Sequence, residues 1–204
     1  MYKLYYGDFQ DYKPSDIDVI ITDPPYPNYL ADEYLYYDGM LNFLQSYKCR
    51  QFIFWTVTEE FPLSFTAKHT WDKITGTYAR YEHLYERNGD KKERVFKYQK
   101  YNNWVDAQFY RDIKVDHPSQ KNLAMLKIII ADYTSPSDTI YDPFMGSGTT
   151  GVAAVQMGRS FIGCEIAQKY YSIAEKRIKD AALQPLLFTP STNPDKPDDA
   201  HRIG

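Results

Sequence analysis

The residues best suited to chemistry are Asp23-Pro24-Pro25-Tyr26, which follow an apolar run from Ile17 to Ile21 with only Thr22 between. The run reads as a buried strand, so a carboxylate is delivered where the strand stops. The two prolines donate no N–H and hold φ at about −65°, which takes the chain out of the sheet in a stiff, extended turn with carbonyls free to accept hydrogen bonds. In an open α/β sheet, ligands sit in the crevice beyond the carboxyl ends of the strands. A carboxylate, a free carbonyl and the flat face of Tyr26 there suit a planar guest that carries an amino group, such as a nucleobase. Alone, the stretch has a second reading, a proline-rich turn in which Asp23 caps the following helix and Tyr26 covers the core.

A second group lies late in the chain, at Asp142-Pro143-Phe144-Met145-Gly146-Ser147-Gly148-Thr149-Thr150-Gly151. Small residues at a strand-to-helix turn let the backbone approach a ligand without Cβ clashes. The pattern is neither GxGxxG nor a Walker loop, and no Lys follows Gly148, which disfavours a nucleoside triphosphate. Glu165 stands about twenty residues beyond Gly146, at the end of the next strand, where an acid reaches the hydroxyls of a ribose. Together these describe a nucleoside site without a phosphate clamp. Asp8 is a further strand-end carboxylate; by itself it reads as a turn aspartate bonded to nearby backbone.

Basic residues gather at Arg94, Lys97 and Lys100, interleaved with Phe96, Tyr98, Tyr101 and Trp104 and with no acid among them. Such interleaving is expected of a surface that pairs phosphates and stacks bases. The alternative is a solvated hairpin whose other face packs on the sheet, since Asp90 and Glu93 lie just before it.

Strands are expected at Tyr2 to Tyr6, Asp18 to Ile21, Gln51 to Val57, Thr70 to Thr75, Tyr81 to Arg87, Arg94 to Tyr98, Thr139 to Tyr141 and Ser160 to Cys164. Helical spacing marks Leu30 to Lys48, Gln120 to Asp132 with Ser119 as N-cap, the segment through Gln156, and Tyr170 to Ile178. The first strand, helix and strand after Asp18 make a right-handed βαβ unit, so the sheet is at least partly parallel. Asn88-Gly89-Asp90 reads as a hairpin-type turn leading to Arg94 to Tyr98.

The 204 residues, 43% hydrophobic, suffice for one substantial core, and a single domain over 1–183 is expected, followed by a disordered tail over 189–204. A net charge of −3 advertises no nucleic-acid partner, so any basic surface must be local. Two distant cysteines, Cys49 and Cys164, exclude a disulfide framework, give no zinc signature and point to the reducing cytoplasm. Nothing in the sequence has the length of a membrane span or the apolar core of a signal peptide. The 20 tyrosines suit either a sheet edge or a protein that stacks on bases.

Thr22 to Tyr26 and Asp142 to Gly151, in that order, resemble the signature of amino-group DNA methyltransferases of the circularly permuted beta class, in which DPPY precedes the glycine motif. Gly7-Asp8, Tyr81-Glu82-His83, His117-Pro118-Ser119-Gln120-Lys121 and Gly163-Cys164-Glu165 extend the resemblance over nearly the whole chain before the tail. It implies a doubly wound, Rossmann-like α/β fold, with a mostly parallel seven-stranded sheet and one antiparallel strand.

It also implies S-adenosylmethionine as cofactor. Glu165 would hold the ribose and Asp8 the adenine amino group; Gly146 and Gly148 would give close backbone approach, with Asp142, Phe144, Ser147, Thr149 and Thr150 around them. His117, Ser119, Gln120 and Lys121 would meet the methionine end. Asp23 and the Pro24 carbonyl would accept the hydrogens of an exocyclic amine, with Pro25 stiffening the loop and Tyr26 stacking on a flipped base. Asp23 in place of Ser favours the N6 amine of adenine in DNA over the N4 amine of cytosine, by family habit. A non-catalytic DNA-binding protein of the same fold is the competing class.

Two departures stand out. Asn122 follows Lys121 where the family usually has proline, and the target-recognition insert common in the family is missing. Residues 94–116, with Arg94, Lys97, Lys100, Tyr101 and Trp104, are therefore expected to read a short or relaxed DNA sequence. In the tail, Gln184-Pro185-Leu186-Leu187-Phe188 resembles the peptide that docks bacterial repair proteins on the sliding clamp, through Gln184, Leu187 and Phe188; its other reading is a segment that packs the last helix on the sheet.

Overall fold

A computed structural model of the chain describes residues 1–26, 34–74, 80–97 and 120–184. Within them the strands are β1 (Tyr2–Tyr6), β2 (Val19–Thr22), β3 (Arg50–Trp55), β4 (Ala67–Asp72), β5 (Tyr81–Arg87), β6 (Val95–Lys97), β7 (Thr139–Asp142) and β8 (Ser160–Glu165). The helices are α1 (Tyr34–Ser46), α2 (Leu123–Tyr133), α3 (Thr149–Gln156) and α4 (Gln168–Ala182), with a short 3-10 turn at Phe9–Asp11.

All four residues of β2 are buried. A strand apolar on both faces has to lie inside a sheet covered on both sides. Accordingly β2 pairs in parallel with β3 on one side and β7 on the other. The strands form one sheet in the order β1-β8-β7-β2-β3-β5-β4-β6. Pairing is parallel throughout except at β5, which runs against both β3 and β4.

Alternation along the strands sorts side chains into two cores. Val19, Ile21, Phe52 and Phe54 point to the face covered by α2, α3 and α4, where they meet Leu126, Ala153 and Ile178. Ile20, Ile53 and Trp55 point to the opposite face, where Met40, Phe43 and Leu44 of α1 cover them. The expected doubly wound, mostly parallel sheet with one antiparallel strand is therefore found.

Three expectations need correction. The sheet has eight strands where the resemblance implied seven, because Val95–Lys97, within the stretch read locally as a strand, joins it at the edge with only Phe96 buried. That strand lies parallel beside β4, pairing Thr70 with Val95, so Asn88 to Asp90 does not fold it back on β5 as a hairpin. The N-cap of α2 is Asn122, whose side chain accepts from Met125 N at 2.9 Å, rather than Ser119. Asn122 stands where the resemblance expects proline, and an Asx side chain serves at this position because it satisfies a helix N–H that would otherwise lack a partner. The expected tail over 189–204 lies outside the described residues.

Candidate active site

β1, β8, β7 and β2 are neighbours and parallel, so their carboxyl ends share one rim of the sheet. From β7 the chain passes through α3 to β8 on one side, whereas from β2 it passes to β3 on the other. The crevice between β2 and β7 is thus where the winding changes direction, the usual ligand position in such sheets. Asp23 follows β2 and Gly146 follows β7, so the two corners singled out in the sequence flank this crevice. A hydrogen bond from Thr22 Oγ1 to Asp142 Oδ1, 2.7 Å long, spans the seam.

The glycine corner depends on backbone conformations that side chains resist. Gly146 has φ of 51° and Gly148, which begins α3, has φ of 78°. A Cβ on Gly148 would come within 2.8 Å of Ala174 Cβ, so α4 packs directly against the turn. From α4, Arg177 Nη1 donates to Ser147 O at 2.6 Å and reaches the hydroxyls of Ser147 and Thr149 at 3.2 Å each. Thr149 and Thr150 are buried as the first residues of α3.

Glu165 is fixed from both sides: its Oε2 accepts from Gly146 N at 2.9 Å and its Oε1 from Ala167 N at 2.7 Å. Burial raises its pKa, and the backbone N–H groups oppose that rise. The carboxylate is thereby aimed from β8 across the glycine turn. Asp142 is fully buried, and burial pushes its carboxyl up to about 7 against the opposing bonds from Thr22, Thr150 and Phe144 N. Phe144 packs on Phe9, with ring centroids 4.8 Å apart.

The Asp23 corner is more elaborate than its sequence suggested. Asp23 Oδ1 accepts the Tyr26 hydroxyl at 2.9 Å, and Oδ2 pairs with Lys121 Nζ at 2.7 Å. Tyr26 shares its one hydroxyl hydrogen with Glu82 Oε1 at 3.1 Å, and its ring meets Trp55 edge to face at 5.3 Å. Lys121 pairs with that same Glu82 oxygen and lies 4.8 Å above the Phe54 ring. Lys73 closes the group from Glu82 Oε2 at 3.0 Å. Burial works against the Lys121 charge, but Asp23 and Glu82 outweigh it and raise its pKa. Burial likewise works against an ionised Glu82, but Lys121 and Lys73 hold it below the ordinary carboxylate range. Asp23 is raised by burial, with Lys121 opposing.

Among the other residues singled out, Asp8 accepts from Gln10 N at 2.8 Å and caps the 3-10 turn after β1, so the bland reading of a turn aspartate describes its present bond. Gln120 is buried beside Lys121 in the sequence. The resemblance assigns Lys121 to a methionine carboxylate; its ammonium lies on two protein carboxylates, which it would have to leave for that role. Arg94 is ion-paired with Asp132 and sits over Tyr133, while Lys97 is exposed on β6. Gln184 Oε1 accepts weakly from Gln156 Nε2 at 3.4 Å. His117, Ser119, Lys100, Tyr101, Trp104, Leu187 and Phe188 lie outside the described residues.

Sequence reasoning assigned no role to Thr22, Lys73, Glu82 or Arg177. Glu82 carried two signals: it belongs to the Tyr81-Glu82-His83 segment of the resemblance, and it is an acid on the same strand face as Leu84 and Glu86, both buried. Lys73 and Arg177 are surface-type residues by composition, and only tertiary packing brings them to the site.

A family model described as DNA methylase, covering N6 and N4 enzymes, matches residues 47–176, a span that includes the glycine corner and begins after Asp23. Type II methyltransferase M2.LlaDCHI of Lactococcus lactis subsp. cremoris is 37% identical over 112 residues, 48% of this chain and 42% of that protein. DNA adenine methyltransferase YhdJ of Escherichia coli K12 is 41% identical over 76 residues, 37% of this chain and 26% of that protein. The chain thus spans less than half the length of these curated relatives. The solved M1.HpyAVI-SAM complex shares the fold, with a TM-score of 0.60 at 23% identity over 87% of this chain and 99% of that one.

Proposed function

Since this chain belongs to the N6/N4 DNA methylase family, we propose that it transfers a methyl group from S-adenosylmethionine to the exocyclic N6 amine of adenine in DNA. The observation that carries the reading is that Asp23 and Gly146 flank one crevice at the winding change of the sheet, joined across its seam by Thr22 and Asp142. Amine acceptors and a nucleoside cradle therefore stand side by side.

The glycine corner fits S-adenosylmethionine by its donor set: an anchored carboxylate in Glu165 for the ribose hydroxyls, a bare turn at Gly146 and Gly148, and no basic residue in the turn that would select a phosphate. When bound, the cofactor supplies a methyl group already activated on a sulfonium. The chain supplies orientation. An exocyclic amine is a poor nucleophile because its lone pair is delocalised into the ring. Asp23 and the Pro24 carbonyl accept its two hydrogens and draw them out of plane, which favours a pyramidal nitrogen with its lone pair directed away from the acceptors. Pro25 keeps the carbonyl in place, and the Tyr26 ring provides a face for a base flipped from the duplex. As the nitrogen gains the methyl it loses a proton, toward Asp23 or water.

Asp23, where N4-cytosine enzymes often carry Ser, supports adenine. The family spans both amines, and cytosine presents the same two hydrogens to the same acceptors, so N4-cytosine is the second reading. Lys97 and Arg94, with Lys100, Tyr101 and Trp104 following in sequence, are the proposed DNA contacts. The kinship with Type II methyltransferases supports a modification role in the cytoplasm, and docking of Gln184, Leu187 and Phe188 on a sliding clamp remains a subsidiary proposal. Incubation with labelled S-adenosylmethionine and unmodified DNA, followed by hydrolysis to nucleosides, tests the reading. Labelled N6-methyladenine is expected; labelled N4-methylcytosine moves the assignment to the second reading, and unlabelled nucleosides refute both.

A further inference from the structure

Both oxygens of Asp23 are engaged in this structure, one by the Tyr26 hydroxyl and one by the Lys121 ammonium. An amine arriving from a flipped base needs one of them. Releasing Lys121 without a new partner would leave a desolvated ammonium in a site where its side chain is only 10% exposed, which costs far more than an incoming neutral amine returns. The arrangement contains the remedy, because both donors on Asp23 also touch a single oxygen of Glu82, Oε1.

Resting on the methyltransferase reading above, we propose that Glu82 is a positioning residue: the alternative acceptor onto which Lys121 and Tyr26 transfer when the target amine engages Asp23. Lys73 makes the exchange feasible. It holds Glu82 Oε2 at 3.0 Å, so the carboxylate stays ionised and oriented while Oε1 receives the donors. Two carboxylates and two ammonium groups balance before and after the exchange, and no net charge enters or leaves the buried cluster. Lys121 needs no large movement, as the Phe54 ring flanks it at 4.8 Å in its present position between the two acids. Access to the catalytic carboxylate is thus coupled to a second acid on β5 that touches neither amine nor cofactor.

The test compares the wild-type chain with the double variant Glu82→Met/Lys73→Met. The replacement removes the alternative acceptor together with its counter-ion and leaves the Asp23–Lys121 pair neutral as a unit, with apolar side chains of similar length in the vacated space. Single-turnover methyl transfer to DNA and S-adenosylmethionine affinity are measured side by side. The proposal expects the transfer rate to fall at least about tenfold, with cofactor affinity within about twofold of wild type. Transfer at the wild-type rate overturns the proposal alone, as does a cofactor affinity that falls in step with the rate, which would put Glu82 in the cofactor site. A wild-type chain that transfers nothing overturns the methyltransferase reading as well. If the variant does not fold, the wild-type chain crystallised with DNA and a non-transferable cofactor analogue decides. Lys121 Nζ within about 3.2 Å of Glu82 and released from Asp23 is expected; Lys121 still on Asp23 beside a bound target base overturns the proposal.

Discussion

Thr22 donates its hydroxyl to Asp142 across the β2–β7 seam, and this 2.7 Å bond links the strand that leads into Asp23 to the strand that opens the glycine turn. Thr22→Val preserves shape and removes the bond. With Asp142 buried, one of its acceptor positions is left unsatisfied, at a cost of about 1–3 kcal/mol. The unfolding free energy should fall by that amount, seen as a lower denaturation midpoint with unchanged slope; an unchanged midpoint would show that the link carries no stability.

Asp142 also makes a prediction in pH. Its carboxyl ionises at the ordinary value of 3.8 when unfolded and at about 7 when buried. Between those values the folded chain holds a proton that the unfolded chain has released, so the stability tied to this group is complete below about pH 4 and is lost as pH rises through about 7. Asp142→Asn removes the dependence. The stability of the variant relative to wild type should therefore rise from pH 4.5 to pH 8, by about 1.4 kcal/mol per pKa unit, with its melting temperature rising relative to wild type over the same range. A constant difference would contradict the burial assigned to Asp142.

Gly148→Ala tests the turn. The substitution places a Cβ at φ of 78°, 2.8 Å from Ala174 Cβ and 3.0 Å from its Cα, where backbone cannot retreat cheaply. Left-handed strain alone costs about 1–3 kcal/mol. A melting temperature that falls by several degrees is expected, and an unshifted one would mean that α4 is not seated on the turn as described.

Glu165→Gln addresses the cofactor. The amide oxygen can replace one carboxylate oxygen, but its NH2 would face either Gly146 N or Ala167 N, both of which donate. The side chain loses its charge and its two-point anchoring together. Calorimetric affinity for S-adenosylmethionine should drop at least about tenfold; unchanged affinity would refute the proposed role of Glu165 at the ribose.

The parts of this site that were legible in the sequence are those where local chemistry dictates backbone form. The apolar run into Asp23-Pro24-Pro25-Tyr26 and the small residues from Gly146 to Gly151 announced two strand-end turns, and the parallel pairing followed from the βαβ spacing. The register that ties Ile20 to Tyr141, and hence Thr22 to Asp142, depends on strands 120 residues apart and leaves no local trace. Lys121 was legible as a charge and not as a partner, because its pairing with Asp23 and Glu82 arises only when β5 inserts antiparallel beside β3. The eighth strand was read as the return arm of a hairpin because Asn-Gly-Asp turns usually fold that way; the chain instead crosses β4 and pairs on its far side.

Everything proposed for function converges on Asp23 as an acceptor of the target amine beside a cofactor held elsewhere. The most direct measurement is single-turnover transfer from labelled S-adenosylmethionine to DNA by Asp23→Ala, with cofactor affinity determined on the same preparation. Transfer should fall by at least about a thousandfold while the affinity stays within about twofold of wild type. Transfer that survives the substitution, or an affinity that collapses with it, would contradict the division of labour between the two corners.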